Sequence, residues 1–311
     1  MNQLNSNAND PLNEVKMIKQ SISAPKNLDM LINIIANRSN EQRQLIKKTY
    51  LEHYKISIEE DLKSALSGNF QKTIIALFYT PVDYDCYQLF KAMKGIGTDE
   101  GTIIEIIATR SKKRIDEIKN RYPEISKGKT LEGHITSETS GFLRKVLLKL
   151  VEGNRSDNRH PDQQKCEQDA LKLIEAESRK DIREDVYIDM FTQKSKEEFT
   201  LISTNYYKKT NNILLKAIDH LFSGDSKKIL TAIAFALLSP SEYFSDRIHK
   251  AIKSFLTNDN TLIRVLVSRD EIDIERIKKY YKQKYKEDLY STIKKEIKGE
   301  YGTLLTTLIG K

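Results

Sequence analysis

The sequence predicts an all-α chain of four repeats, each of about five short helices, and three observations carry that expectation. Ser-Gly or Lys-Gly pairs fall at Ser67-Gly68, Ser140-Gly141, Ser223-Gly224 and Lys298-Gly299, at spacings of 73, 83 and 75 residues. A second marker, an apolar run closed by a basic residue, reads IIANRS, IIATRS, MFTQKS and LVSRDE. It sets Arg38, Arg110, Lys194 and Arg269 in the same phase, at spacings of 72, 84 and 75. No segment alternates with the period of two that a half-buried strand needs, whereas apolar residues recur at helical spacing. Self-similarity at a fixed period marks repeat architectures. Helices this short do not hold alone and must bury their apolar faces against one another.

Taken in order, residues 1–13 are polar, lack the apolar stretch of a signal peptide, and read as an N-terminal tail. Repeat I covers 14–80: Ser39 caps NEQRQLIKKTYLEHY, and Gly68 separates DLKSAL from the apolar QKTIIALF. Repeat II covers 83–152: YQLFKAMK is amphipathic, GIGTDE interrupts it, and TIIEIIATR resumes. Ser111 then caps KKRIDEIKNRY, Pro123 and Gly128 mark a turn, and FLRKVLLKLV follows the Ser-Gly pair. A polar linker over 153–165 accounts for the longer middle spacing. Repeat III covers 166–239, where Ser195 and Glu198 make a capping box. Repeat IV covers 241–310.

Composition narrows the function. The 311 residues are 39% hydrophobic and 31% charged, with only 12 Gly and 6 Pro, which suits a soluble helical chain. Cys86 and Cys166 are too few for a disulfide framework or a four-thiolate zinc site, so reduced thiols of a cytoplasmic protein are expected. The longest apolar run, Ile229 to Leu238, is about half of the ~20 residues that span a bilayer, so membrane contact is expected to be peripheral. A net charge of +8 favours anionic partners, lipid headgroups or nucleic acid, without choosing between them. Basic pairs such as Lys47-Lys48 and Lys294-Lys295 are scattered among acids and form no nucleic-acid module, which sets nucleic acid behind lipid. The five histidines lack H-x-x-x-H spacing, and neither G-x-S-x-G nor G-x-x-x-x-G-K occurs, so no enzyme is expected.

The most informative stretch is KAMKGIGTDE, Lys91 to Glu100. Its glycines allow a tight turn between two helices and leave carbonyl oxygens pointing outward. Hard cations such as calcium take carbonyl and carboxylate oxygens together. Gly95, Gly97 and Gly101 do not make a dinucleotide fingerprint, because a helix rather than a strand precedes them and the third glycine is one residue late. The loop by itself leaves a metal site and a plain helix–helix connection both open.

With these residues the chain resembles the annexin family over roughly residues 14–310. KAMKGIGTDEGTIIEIIATRSKKRIDEIKNRY is similar to the family's most recognisable motif. TLIRVLVSRDEIDIERIKKYYKQKYKEDLYSTIKKEIKGEYGTLLTTLIG matches along most of its length, and EGNRSDNRHPDQQK resembles the linker between the second and third repeats. The resemblance implies a curved disc of four five-helix repeats with calcium loops on the convex, membrane-facing side. Carried over, the main calcium ligands would be the carbonyls of Met93, Gly95 and Gly97 with the carboxylate of Glu138. A minor site would use Thr98 and Glu100. The recurring Arg38, Arg110 and Arg269 would hold loop carbonyls from inside.

The other repeats depart from the pattern. SISAPKN in repeat I lacks the glycines, and Ala65 stands where the acid should be. Repeat III has EAESRKDIRED and Leu221 at the equivalent places; repeat IV keeps Glu296 but has KSFLTND for its loop. Repeats I and III are therefore expected to have lost calcium, and repeat IV to be degenerate. Arg179, Lys180 and Arg183 would then meet anionic headgroups directly, and Phe255 with Leu256 would dip into the interface. Pairing of the basic trio with Asp181, Glu184 and Asp185, and ordinary packing of Phe255, are the alternatives.

The expected function is calcium-dependent binding to acidic phospholipid on the inner face of membranes, with self-association there as a further expectation. The rival is a calcium-independent scaffold bound to cytoskeletal proteins or flagella, as in the giardins, protist relatives of annexins.

Overall fold

The computed structural model describes residues 10–310. Among them the ordered elements are twenty α-helices and no strand, five to a repeat. Repeat I holds α1 (Pro11–Ile22), α2 (Leu28–Ala36), α3 (Asn40–Tyr54), α4 (Ile58–Ala65) and α5 (Gly68–Leu77). Repeat II holds α6 (Pro81–Met93), α7 (Glu100–Thr109), α8 (Lys112–Ile125), α9 (Leu131–Glu138) and α10 (Gly141–Glu152). Repeat III holds α11 (Gln163–Ser178), α12 (Lys180–Gln193), α13 (Lys196–Thr210), α14 (Leu214–Leu221) and α15 (Gly224–Leu238). Repeat IV holds α16 (Pro240–Lys253), α17 (Asp259–Arg269), α18 (Ile274–Tyr285), α19 (Leu289–Glu296) and α20 (Gly299–Ile309).

The first helix begins inside the 1–13 stretch expected as a tail. Asp10 accepts from the Leu12 amide and starts α1 at Pro11, a residue suited to the first helical position; residues 1–9 lie outside the described ones. Pro123 is also not in a turn. It sits in the last turn of α8, which runs on to Ile125 because Tyr122 beside it is fully buried and its carbonyl accepts from the Ser126 amide.

Both repeat markers have a physical cause. Gly68, Gly141, Gly224 and Gly299 each open the fifth helix of a repeat with φ of 65°, 56°, 53° and 68°. A Cβ at any of them would meet nothing within 4 Å, so the backbone turn, not crowding, calls for glycine. The basic marker holds a carboxylate on the repeat's first helix. Arg110 grips Asp85 with two bonds of 2.9 and 2.7 Å, Arg38 reaches Glu14 at 2.6 Å, and Lys194 pairs with Asp169. In repeat IV that acid's place is taken by Phe244; Arg269 lies over its ring at 4.4 Å and takes Asp273 at 2.7 Å. Each of Arg38, Arg110 and Arg269 thus holds an acid.

The chain divides into two compact units, one of repeats I and IV and one of repeats II and III. In the first, α2 packs on α20 and α5 on α17. In the second, α7 packs on α15 and α10 on α12, around Tyr187, Phe191 and Phe199. The linker after α10 is fastened there: Arg155 donates to the Phe191 and Lys194 carbonyls at 2.7 Å, and burial brings its pKa down to about 10.

Candidate calcium loop and its counterparts

In repeat II, α6 ends at Met93 and α7 begins at Glu100, leaving six residues to reverse the chain. The turn is closed by the Asp99 amide donating to the Ala92 carbonyl at 2.9 Å. Asp99 then caps α7 through the Thr102 amide and hydroxyl, at 3.0 and 2.6 Å. Gly95 and Gly97 sit at φ of 102° and 86°, conformations that side-chain-bearing residues avoid. Both are exposed, as is Ile96 between them. Among the described residues no group donates to the Gly95 or Gly97 carbonyl oxygen.

Glu138, the last residue of α9, comes to this loop across 40 positions of sequence. The Thr98 hydroxyl lies 3.3 Å from the Glu138 carbonyl and 3.4 Å from its Oε2. Oε1 accepts from Ser137 at 3.1 Å. Glu100, Ser137 and Glu138 line a polar cleft of about 460 Å³ together with Asp225 and Ser226 of α15. Beneath the loop lies His134, buried, with Nδ1 2.7 Å from the Tyr122 hydroxyl; burial and the nearby Lys129 push its pKa below the ordinary value. An isolated histidine carries no spacing signal, so nothing in the sequence marks His134 as part of this site.

The structure thus brings Thr98 and Glu100 to Glu138, with Gly95 and Gly97 in the same loop as Thr98 and Met93 buried at its start. No cluster of three or more His, Cys, Asp or Glu suited to a metal exists among the described residues. The donor set here is carbonyl and carboxylate oxygen, which suits calcium better than softer ions.

The other three loops differ in a common way: a basic side chain occupies each. In repeat I, Lys26 Nζ donates to the Ala65 carbonyl at 2.5 Å, at the end of α4 where an acid would stand. In repeat III, α11 and α12 are separated by Arg179 alone, and Arg183 donates to the Ala176 and Glu177 carbonyls at 3.0 and 2.5 Å. Arg179 is held by Glu175 and Asp181 at 3.0 and 2.6 Å, while Lys180 is exposed. In repeat IV, Lys253 donates to Glu296 at 3.0 Å and lies 3.6 Å from Glu287. Phe255 and Leu256 are 102% and 79% exposed, which rules out their packing in an extended helix.

Twenty helices in four phased repeats make an all-α repeat protein. A family model described as Annexin matches residues 15–77, 84–150, 168–233 and 243–308. Annexin A1 of Rattus norvegicus is 38% identical over 304 residues, covering 97% of this chain and 87% of its own. Among solved structures, annexin III is 35% identical with a TM-score of 0.93, covering 97% of this chain and 94% of that one. A calcium-bound annexin (Sm)1 is 26% identical with a TM-score of 0.85, covering 97% and 91%. The chain belongs to the annexin family, whose members bind calcium and phospholipid membranes and are generally not enzymes. No helix among the described residues is long and apolar enough to cross a membrane.

Proposed function

We propose that this chain binds acidic phospholipid membranes through calcium held at repeat II, by the carbonyls of Met93, Gly95 and Gly97 and the carboxylate of Glu138. Thr98 and Glu100 form a minor site beside it. The observation that carries this reading is the approach of Thr98 to Glu138, which sets the glycine loop against its distant acid. The calcium-bound annexin (Sm)1 supports the choice of ion. Calcium, when bound, supplies positive charge that protein and lipid phosphate oxygens share. The glycines hold the loop open, Thr98 and Ser137 hold the carboxylate toward it, and the Asp99 amide bond fixes the turn. Because lipid would complete the ion's shell, membrane tightens calcium binding and calcium tightens membrane binding by one factor.

Lys180 in repeat III and Phe255-Leu256 in repeat IV are added membrane contacts in this reading. Arg179 and Arg183 contribute less, since each is engaged within its own repeat. The protein works on the cytoplasmic side, where acidic lipid is found.

Co-sedimentation with phosphatidylserine vesicles tests this, in calcium and in chelator, on the native protein and Glu138→Gln. A calcium-dependent increase in pelleting that the substitution removes is the expected result. Equal pelleting of both proteins in calcium would end the repeat II reading, and no pelleting under any condition would favour a scaffold.

A further inference from the structure

The repeat IV loop is pinned by the same backbone hydrogen bond as the repeat II loop, but its own side chains fill it. The Asn258 amide donates to the Ala251 carbonyl at 2.9 Å, the same seven-residue closure that Asp99 makes on Ala92. Within that turn the Ser254 hydroxyl donates to the Leu256 carbonyl at 2.6 Å, filling the oxygen that corresponds to Gly97. Neither Ser254 nor Leu256 is at positive φ, so the chain runs differently from the glycine loop. The corresponding acid, Glu296, is taken by Lys253 Nζ at 3.0 Å, with Glu287 on the ammonium's other side. An ammonium thus stands where a divalent ion would.

What this closed loop presents outward is apolar. Phe255 and Leu256 project with almost nothing covering them. The Lys253–Glu296 bond fixes the loop beside the end of α19, where Lys294, Lys295 and Lys298 are all exposed. The segment 275–298, which contains them, carries nine basic against four acidic side chains. An apolar tip beside a basic rim matches the interface of an anionic bilayer, in which the ring enters the acyl boundary and the ammonium groups remain among phosphates. A soluble polyanion would use the lysines but gain nothing from Phe255.

We propose that repeat IV is a second, calcium-free anchor for anionic bilayers, in which Lys253 replaces the metal, Phe255 and Leu256 insert, and Lys294, Lys295 and Lys298 bind headgroups. It rests on the membrane reading above but not on the repeat II ion.

The test uses the full chain, in chelator at low ionic strength, with phosphatidylserine–phosphatidylcholine vesicles and with phosphatidylcholine alone. The native protein binds the anionic vesicles and not the neutral ones. Phe255→Ser/Leu256→Ser, exposed positions whose change leaves the fold intact by circular dichroism, lowers that binding at least tenfold. Lys294→Ser/Lys295→Ser/Lys298→Ser lowers it roughly fivefold per lysine and makes it less salt-sensitive. Glu138→Gln leaves chelator binding unchanged and removes only the calcium-dependent increment. In a calcium titration with vesicles, Glu296→Gln leaves the number of bound ions unchanged. The proposal is overturned if the native protein ignores anionic vesicles in chelator or if the Phe255/Leu256 variant binds as well as native. It is also overturned if heparin alone is bound as tightly as vesicles, or if Glu296→Gln loses a calcium ion. Chelator binding that survives while Glu138→Gln proves silent would sink the repeat II reading and leave this one standing.

Discussion

The glycines of the repeat II loop allow the sharpest test of how backbone conformation sets calcium affinity. Gly95 and Gly97 lie at φ of 102° and 86°, and a Cβ at either would touch nothing within 4 Å. Substitution by alanine therefore adds no clash, only the cost of holding an L-residue at positive φ, about 1–2 kcal/mol. In the metal-free protein the exposed loop can relax to negative φ and escape that cost. On binding calcium it must return, so the whole penalty falls on the ion. Each kcal/mol is about a factor of five, so Gly97→Ala should raise the calcium concentration for half-maximal vesicle binding roughly 5- to 30-fold. Unfolding in urea should change by less than about 0.5 kcal/mol. Gly68→Ala is the control. At φ 65° it carries similar strain, but it opens α5 where Gln71 donates to the Ser67 carbonyl, so it cannot relax without disturbing a helix start. It should cost about 1 kcal/mol of stability and leave the calcium midpoint alone. A Gly97→Ala protein with a native midpoint, or a Gly68→Ala protein with an equally shifted one, would refute the reasoning.

Other outcomes follow from the same structure. Asp85→Ala leaves the buried Arg110 guanidinium without its two bonds and should cost about 3–5 kcal/mol in urea unfolding, with Arg110→Lys costing less. Burial lowers the pKa of both His134 and His249, so the unfolded chain takes up protons first. Stability is then complete above the ordinary histidine value of ~6.5 and declines as pH falls below it. The melting temperature in chelator should drop between pH 7.5 and 5.5, less steeply in His249→Phe, which keeps a ring against Tyr285. Ser195→Ala removes one half of a capping box that the Glu198 carboxylate completes at 2.8 Å, and should cost about 1 kcal/mol.

What was legible in the sequence was local and periodic. The glycine that opens each fifth helix recurs because one backbone conformation recurs, and periodicity alone exposes it. Ser39, Ser111 and Ser195 cap the helices their spacing assigned to them. What escaped were the partners of basic residues, since an ammonium on a long side chain reaches elements that sequence spacing does not relate. Arg183 reads as a surface charge among acids, yet the near-absence of a loop between α11 and α12 turns it inward onto carbonyls. The resemblance assigns carbonyls to Arg110, and nothing in the sequence marks Asp85, 25 positions earlier, as its partner. Pro123 carries a turn signal that the burial of Tyr122 outweighs.

The four loops also show why only one is left open. Lys94 and Lys253 each follow by two residues the alanine whose carbonyl closes the turn, so both could reach an acid across the gap. In repeat IV Lys253 does so. The residue four positions before it is His249, stacked flat on Tyr285 at 3.5 Å, and it offers the ammonium no aromatic face. In repeat II the residue four before Lys94 is Phe90, and the Lys94 ammonium lies over that ring at 5.6 Å, away from Glu138. A cation over an aromatic face gains about 0.5–1 kcal/mol at an exposed site, comparable to what a surface ion pair would return. Phe90 thus accompanies a lysine drawn over a ring, and His249 a lysine that fills its carboxylate. Openness to an external ion depends on where the loop's nearest ammonium rests, as well as on the glycines that shape the carbonyls.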